Sequence, residues 1–266
     1  MGAAFNYSSC DIKNFVKSFR MFNTSADLVL IAHRDNFDEI SSFLKDYNGK
    51  CLLYASALYS SYKIHNIRFF KFLDYLAHQK ELYRNVILSD VADVFFQSDP
   101  FANAPEEFIY FFEEDPAETI GQNKYNKQWV RFCYGKKGLK ALYDKTIVCA
   151  GTTFGSFGNV YVYLNHVVDE MLRLFKSQPK EMHKRYVDQG IQNYLAHQKM
   201  HLFRHPELKQ NGDITATISI TLRKSPASIT VEGNHVVVNG QKPAIVHQYN
   251  RSEKIKEIVD NMYSID

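Results

Sequence analysis

Residues 86–101 read VILSDVADVFFQSDPF, and the way this stretch ends decides the fold. Residues 86–89 have the character of a buried strand that stops abruptly at Asp90; Asp93 follows three residues later, then Asp99-Pro100. An apolar run that halts at carboxylates marks the point where a strand leaves the core. In open α/β sheets, ligands sit in the crevice beyond the carboxyl ends of such strands.

Upstream of this stretch, apolar positions alternate between the two periods of regular structure. Residues 3–7 suit a short strand, and Ile12, Phe15, Val16, Phe19 and Phe22 follow at helical spacing. ADLVLIAH (26–33) reads as strand, FDEISSFLKDY (37–47) as helix and CLLYAS (51–56) as strand. A helix across 65–80 leads into NVILSD. This alternation predicts an α/β fold with a mostly parallel sheet wrapped by helices and joined by right-handed crossovers.

Downstream, EFIYFFEED (107–115) reads as a strand ending in acids, and residues 124–144 hold helical pieces with the only tryptophan, Trp129. TIVCAGTTFGSF (146–157) suggests a strand running into a glycine-punctuated turn, followed by a helix over 158–176 and another over 184–198. SITVEGNHVVVNG (228–240) has the alternation and Gly-Asn turn of a hairpin; PAIVHQY (243–249) is a strand, and SEKIKEIVDNMY (252–263) a closing helix. No repeat, low-complexity tract or long linker interrupts the chain. The expectation is one domain of 266 residues with a variable second half.

Composition narrows the class. Thirty-two basic against 29 acidic residues give a formal charge of only +3, which does not mark a nucleic-acid partner. Cys10, Cys51, Cys133 and Cys149 have neither zinc-site spacing nor disulfide-scaffold density, so buried, reduced thiols and a cytoplasmic location are expected. No stretch approaches a membrane span. Either a further segment precedes MGAAFNYSS or the first strand opens the chain. Lys184 and Arg185 read either as an ordinary solvated face or as a peripheral contact with an anionic membrane.

Asp90 and Asp93 have the chemistry of a hard-cation site, since Mg²⁺ and Mn²⁺ are commonly held by one or two carboxylates while substrate phosphates and water fill the shell. Turn chemistry at a strand end is the competing reading. Asp99, before Pro100, is read as structural.

Three further segments, with the first, carry a resemblance. SDVADVFFQSDPF looks like the acidic segment of GT-A glycosyltransferases, in the D-x-x-D variant continued by V-x-F-Q-x-D-P-F. CAGTTFGS (149–156) is similar to the small-residue turn on which those enzymes lay the donor sugar. VDQGIQNYL (187–195) resembles their D-Q-x-x-x-N helix start, and IVHQYNR (245–251) the late strand that returns a histidine to the metal.

The resemblance covers nearly the whole chain and implies a single GT-A-like catalytic domain over 1–266. Residues 1–100 would form its nucleotide-binding half and 101–266 its donor-sugar and acceptor half. It implies a transferase moving a sugar from a nucleotide-diphosphate donor, a UDP-sugar first among them, to a glycan or lipid-linked hydroxyl. Retention of configuration is slightly preferred. Asp90, Asp93 and His247 would be the metal set, His247 favouring Mn²⁺ over Mg²⁺, with Asp93 the direct ligand and Asp90 also near the nucleotide. Ala92 departs from the pattern, because relatives often carry arginine there.

Ala3, Ala4, Phe5, Asn6 and Tyr7 would line the base pocket. Arg68 and Arg251 would reach the diphosphate, and Gly151 and Thr152 would bring backbone amides to the sugar. Asp188 and Gln189 resemble the D-Q pair that faces the reacting carbon in glycogenin-like retaining enzymes. Each has a plainer reading: Arg68 as a snorkelling surface residue, Asp188 as a helix-dipole cap, His247 as a core histidine. Glu113, Glu114 and Asp115 form either a solvated cluster or a source of base if configuration inverts. Tyr125 and Trp129 suit core packing or an acceptor platform.

Other classes fit less well. A nucleotidyltransferase should show a glycine-rich basic loop after its first strand, where this chain has NYSSCDIKNF (6–15); a haloacid-dehalogenase-type phosphatase needs D-x-D spacing at an early strand. A GT-A relative that binds but does not turn over is the non-enzyme alternative.

Overall fold

A computed structural model describes residues 1–55, 62–79 and 83–264. Twelve strands are described: β1 (Gly2–Ala3), β2 (Leu28–His33), β3 (Gly49–Tyr54), β4 (Asn85–Ser89), β5 (Val94–Phe96), β6 (Ile109–Glu113), β7 (Val148–Ser156), β8 (Pro206–Lys209), β9 (Thr215–Thr217), β10 (Ile229–Glu232), β11 (His235–Val238) and β12 (Ile245–His247). The architecture is α/β, with a mostly parallel central sheet flanked by helices and a small antiparallel sheet. The chain divides into two compact units: Met1–Ala55, Leu88–Ala104 and Lys209–Asp266 in the first, Ser56–Ile87 and Pro105–Leu208 in the second. Among the described residues no helix is long and apolar enough to cross a membrane.

In the first unit β1 pairs in parallel with both β2 and β4, and β2 in parallel with β3. The helix Ser9–Phe22 begins at a capping box in which Ser8 Oγ accepts from Asp11 N and the Asp11 carboxylate accepts from Ser8 N. Its apolar face, with Ile12, Phe15, Val16 and Phe19 buried, sets Phe15 and Phe19 edge-on to Phe96 of β5 at centroid distances of 5.3 and 5.1 Å. Ser18 on the same helix is fully buried and accepts a hydrogen bond from Phe96 N, so a helical hydroxyl satisfies an amide of β5.

The strand expected over 3–7 is shorter than predicted: β1 ends at Ala3. Asn36 Nδ2 donates to the carbonyls of Ala4 and Tyr7 at 2.6 and 2.7 Å, and Asn6 between them has φ 57°, which ends the extended conformation. The strand expected over 51–56 runs Gly49–Tyr54, and the helix expected over 65–80 runs Ile64–Ala77; Ser56 and Lys80 lie outside the described residues.

A second, three-stranded sheet in the first unit has β12 at its centre, antiparallel to β5 and parallel to β9. The predicted hairpin forms from β10 and β11, paired from Ile229↔Val238 to Glu232↔His235, with Gly233 at φ 60° in the turn. Phe95, Val236, Val238, Val246, Tyr249 and Val259 pack into one core that joins hairpin, sheet and the closing helix Glu253–Met262. Strands β8 and β9 and the helix Ile218–Lys224 were not anticipated; each is too short to show a period.

In the second unit β6 and β7 pair antiparallel with an irregularity between Phe111 and Glu113, and β8 lies beside β6. Residues 149–156 do not form the expected turn. β7 is one strand of nine residues, buried throughout. Gly155 marks a close approach, not a bend, since a Cβ there would lie 2.9 Å from Phe108 O. The expected helix over 184–198 starts only at Asp188, because Asn66 holds the preceding segment, donating to Arg185 O and accepting from Val187 N. Cys133 and Cys149 are buried, Cys51 is half-buried and Cys10 exposed, and none of the four forms a disulfide.

The glutamine of the opening stretch has a structural role. Gln97, buried, accepts from Val236 N at 2.6 Å and donates to Val236 O and Pro243 O at 3.0 and 2.9 Å. Replacing it with leucine strands one amide and two carbonyls. Gln97→Leu should therefore destabilise the protein by about 3 kcal/mol, read as a lower urea midpoint, whereas Gln210→Leu on the surface should change little.

Candidate functional site

Asp90 is the first residue beyond β4, and its chain is steered there by close packing: Ser89 Oγ donates to Asp90 O, and a Cβ on Gly2 would collide with Val91 Cγ1. Four residues on, β5 begins at Val94, whose partner across the antiparallel ladder is His247. The register therefore delivers His247 beside Asp93. His247 Nε2 lies 3.4 Å from Asp90 Oδ2 and 3.5 Å from Asp93 Oδ1. The imidazole is 2% exposed while the two carboxylates are half-buried, so the cluster opens on the carboxylate side.

Gln248 follows with φ 61°, and its N–H donates to Asp93 O at 2.7 Å, which turns the chain away immediately after the histidine. On its other side β12 pairs His247 with Thr217 of β9, and Thr217 Oγ1 lies 3.3 Å from His247 Nδ1. A ring that donates Nδ1–H to this hydroxyl presents its Nε2 lone pair toward the carboxylates.

One ligand atom from each of the three residues lies within 4.8 Å of the others, so the cluster is compatible with a divalent metal. Two carboxylate oxygens and an imidazole nitrogen, with an exposed side left for water or phosphate oxygens, match the donor set of a borderline-hard cation. Asp99 takes no part. Its Oδ1 accepts from Phe101 N and Asn23 Nδ2 and closes a turn. Ala92 is half-buried between the acids.

The second unit holds a polar cluster built on one strand residue. Ala150 N of β7 donates to Gln189 Oε1 at 2.7 Å, and Ala150 O lies 3.4 Å from Arg68 Nη2. The same guanidinium nitrogen is 3.4 Å from Asp188 Oδ2, and Gln189 Nε2 donates to Glu114 Oε1 at 3.1 Å. Arg68 is 6% exposed, with its guanidinium over the Phe69 ring, so the surface reading is overturned. The solvated reading of the acidic cluster fails as well: Glu114 and Asp115 are buried, Asp115 capping Ala117 N, and burial raises the Glu113 carboxyl above its usual range against a hydrogen bond from Thr146.

The helix Asp188–Gln198 is docked by side-chain amides. Asn193 accepts from Val148 N and donates to Val148 O, and Gln192 donates to Thr153 Oγ1 while accepting from Tyr163 Oη. Gly190 permits the approach of the helix Lys124–Leu142, since a Cβ there would sit 3.0 Å from Trp129 O. Gly151 and Thr152 are buried within β7.

The residues expected at the nucleotide base, and Arg251, belong to the first unit. Ala3, Ala4 and Phe5 are buried, with Phe5 edge-on to Tyr54 at 5.3 Å. Asn6 is exposed and Tyr7 half-buried. Arg251 is exposed in a 3₁₀ turn. Nothing in the sequence marks Thr217, for a threonine 30 residues from its histidine leaves no spacing signal.

Neither a protein-family model nor a curated protein matches the chain. Solved structures do, 187 chains in all, so the fold is a populated one. One of them, mouse xyloside xylosyltransferase 1 in its apo form, aligns with a TM-score of 0.52 at 11% identity, covering 92% of this chain and 95% of that one. The fold is GT-A-like.

Three outcomes are expected. Asp93→Ala should abolish divalent-cation binding, read by electron paramagnetic resonance with Mn²⁺ as the probe, and Thr217→Val should weaken it by roughly tenfold or more with an unchanged circular-dichroism spectrum. Arg68→Met leaves the Asp188 carboxylate buried without its guanidinium and should cost about 3 kcal/mol in denaturant unfolding.

Proposed function

We propose that the chain is a metal-dependent glycosyltransferase that moves a sugar from a nucleotide-diphosphate donor, a UDP-sugar foremost, to a glycan or lipid-linked hydroxyl. The observation that carries this reading is the Asp90, Asp93 and His247 cluster at the carboxyl end of a parallel strand, in a fold shared with a xylosyltransferase. In a sheet of this kind that is where a diphosphate would be held.

Asp93 and His247 would hold the cation, with Asp90 beside them, and Mn²⁺ suits the imidazole better than Mg²⁺. When bound, the metal supplies Lewis-acid stabilisation of the leaving diphosphate. In the transfer, the bond between the anomeric carbon and the phosphate oxygen breaks with its electron pair on the diphosphate. A bond to the acceptor oxygen forms, and the acceptor proton passes to a base. Asp188 and Gln189 are the proposed pair on the donor sugar, and retention is the preferred outcome. Support for their roles lies in how firmly they are set: Asp188 against Arg68, Gln189 between Ala150 N and Glu114. Arg68 is then a positioning residue for Asp188. Ala4, Phe5, Asn6 and Tyr7 are assigned to the nucleotide base, Gly151 and Thr152 to the sugar and Arg251 to the diphosphate. On this reading the whole chain is one catalytic domain.

The deciding experiment is a thermal-shift titration with UDP, GDP and CMP, each with Mn²⁺ and with chelator. One nucleotide at about 100 times its dissociation constant should stabilise the wild type by roughly 2.7 kcal/mol, only with Mn²⁺, and not stabilise Asp93→Ala. Asp188→Asn should keep that stabilisation while donor turnover, followed as free nucleotide diphosphate, falls by on the order of a hundredfold or more. Absence of any nucleotide effect would discard the proposal. Binding without turnover of any donor would identify an inactive relative.

A further inference from the structure

The helix Lys124–Leu142 carries Lys124, Lys127, Arg131, Lys136, Lys137 and Lys140 and no acidic residue. The chain as a whole is only +3, so apart from this helix the protein is net negative. Positive charge is thus concentrated on one element. Among the described residues, Arg131, Lys136, Lys137 and Lys140 are exposed and engage no carboxylate. Arg185 nearby differs: its guanidinium lies over the Phe132 ring but is paired with Glu181 at 3.5 Å.

The helix has a second unusual property. Its inner side, with Asn126, Val130, Cys133, Leu139 and Leu142 buried, is packed, yet two tyrosines on or just beyond it are exposed. Tyr125 is 61% exposed and stacks on Trp129 at 5.9 Å; Tyr143, just past the helix, is 41% exposed. A break at Gly135, φ 67°, separates the aromatic half from the lysine-rich half. Beside it Arg131, Lys136, Leu139, Lys140 and Tyr143 line a pocket of about 270 Å³.

We infer that this side of the helix docks on a membrane surface containing anionic phospholipid, with lipid phosphates received among Arg131, Lys136 and Lys140 and with the exposed rings of Tyr125 and Tyr143 at the headgroup layer. Charge complementarity gives the sign of the partner. The aromatics select a lipid surface over a soluble polyanion, because Tyr and Trp gain from an environment apolar at one end and wet at the other. The net-negative remainder of the chain is repelled by the same surface, so this helix sets the docking face. The inference does not depend on the transferase reading.

Trp129 is the only tryptophan and stacks on the exposed Tyr125, which makes its fluorescence a reporter of what that tyrosine meets. Vesicles of phosphatidylcholine with about a third phosphatidylserine should shift its emission to the blue and co-sediment the full chain at physiological salt; pure phosphatidylcholine vesicles should do neither. The triple variant Arg131→Gln, Lys136→Gln, Lys140→Gln should bind roughly 100-fold more weakly, at about fivefold per charge. Tyr125→Ser, at an exposed position, should weaken binding with its melting curve unchanged. The proposal is overturned if serine-lipid vesicles fail to bind the wild type, if the triple variant binds them as well as the wild type, or if heparin reproduces the blue shift and competes fully with vesicles, which would mark a polyanion site.

Discussion

The geometry of the Asp90, Asp93 and His247 cluster depends on the placement of one three-residue strand. β12 is held on both sides, by Val94–Phe96 through antiparallel pairing and by Thr215–Thr217 through parallel pairing, and the last rung on each side is His247. One side brings Asp93, the other Thr217. A slip of one residue would turn the imidazole to the opposite face of the sheet. The register is fixed because Ile245 and Val246 are both fully buried, and because Gln248 locks the strand's end to Asp93 O. Hydrophobic burial along the strand thus secures the position of the polar group at its end.

Much of the fold is legible in the sequence because its first half follows simple periods. The strand-helix alternation up to residue 90 and the hairpin at 229–238 are local patterns, and local patterns survive folding. The residues that close the structure are different. Gln97 is bound to Val236 and Pro243, about 140 positions away, and Ser18 to Phe96; a glutamine after a strand or a serine in a helix carries no mark of such a partner. The same holds for Arg68, Glu114 and Asp115, which read as surface charges until the chain folds around them. Residues 149–156 misled for another reason. Small residues in a row signal a turn when judged singly, but here they admit close neighbours along a buried strand.

The grouping of Asp90, Asp93 and His247 came from a resemblance of motifs, not from spacing, since 154 residues separate the second acid from the histidine. Its physical rationale appears only in three dimensions: one strand end and one ladder register converge on the same few ångströms.

The docking of the helix Asp188–Gln198 has a consequence for how such a protein can change. Gln189 and Asn193 grip β7 through the main chain of Val148 and Ala150. A main-chain grip is indifferent to side-chain identity. Substitutions of similar volume at Val148 and Ala150 therefore leave the helix, and the Asp188 carboxylate at its first turn, in their places. At these two positions side-chain identity and helix placement are separable, so the packing beside the strand can change without its scaffold being rebuilt.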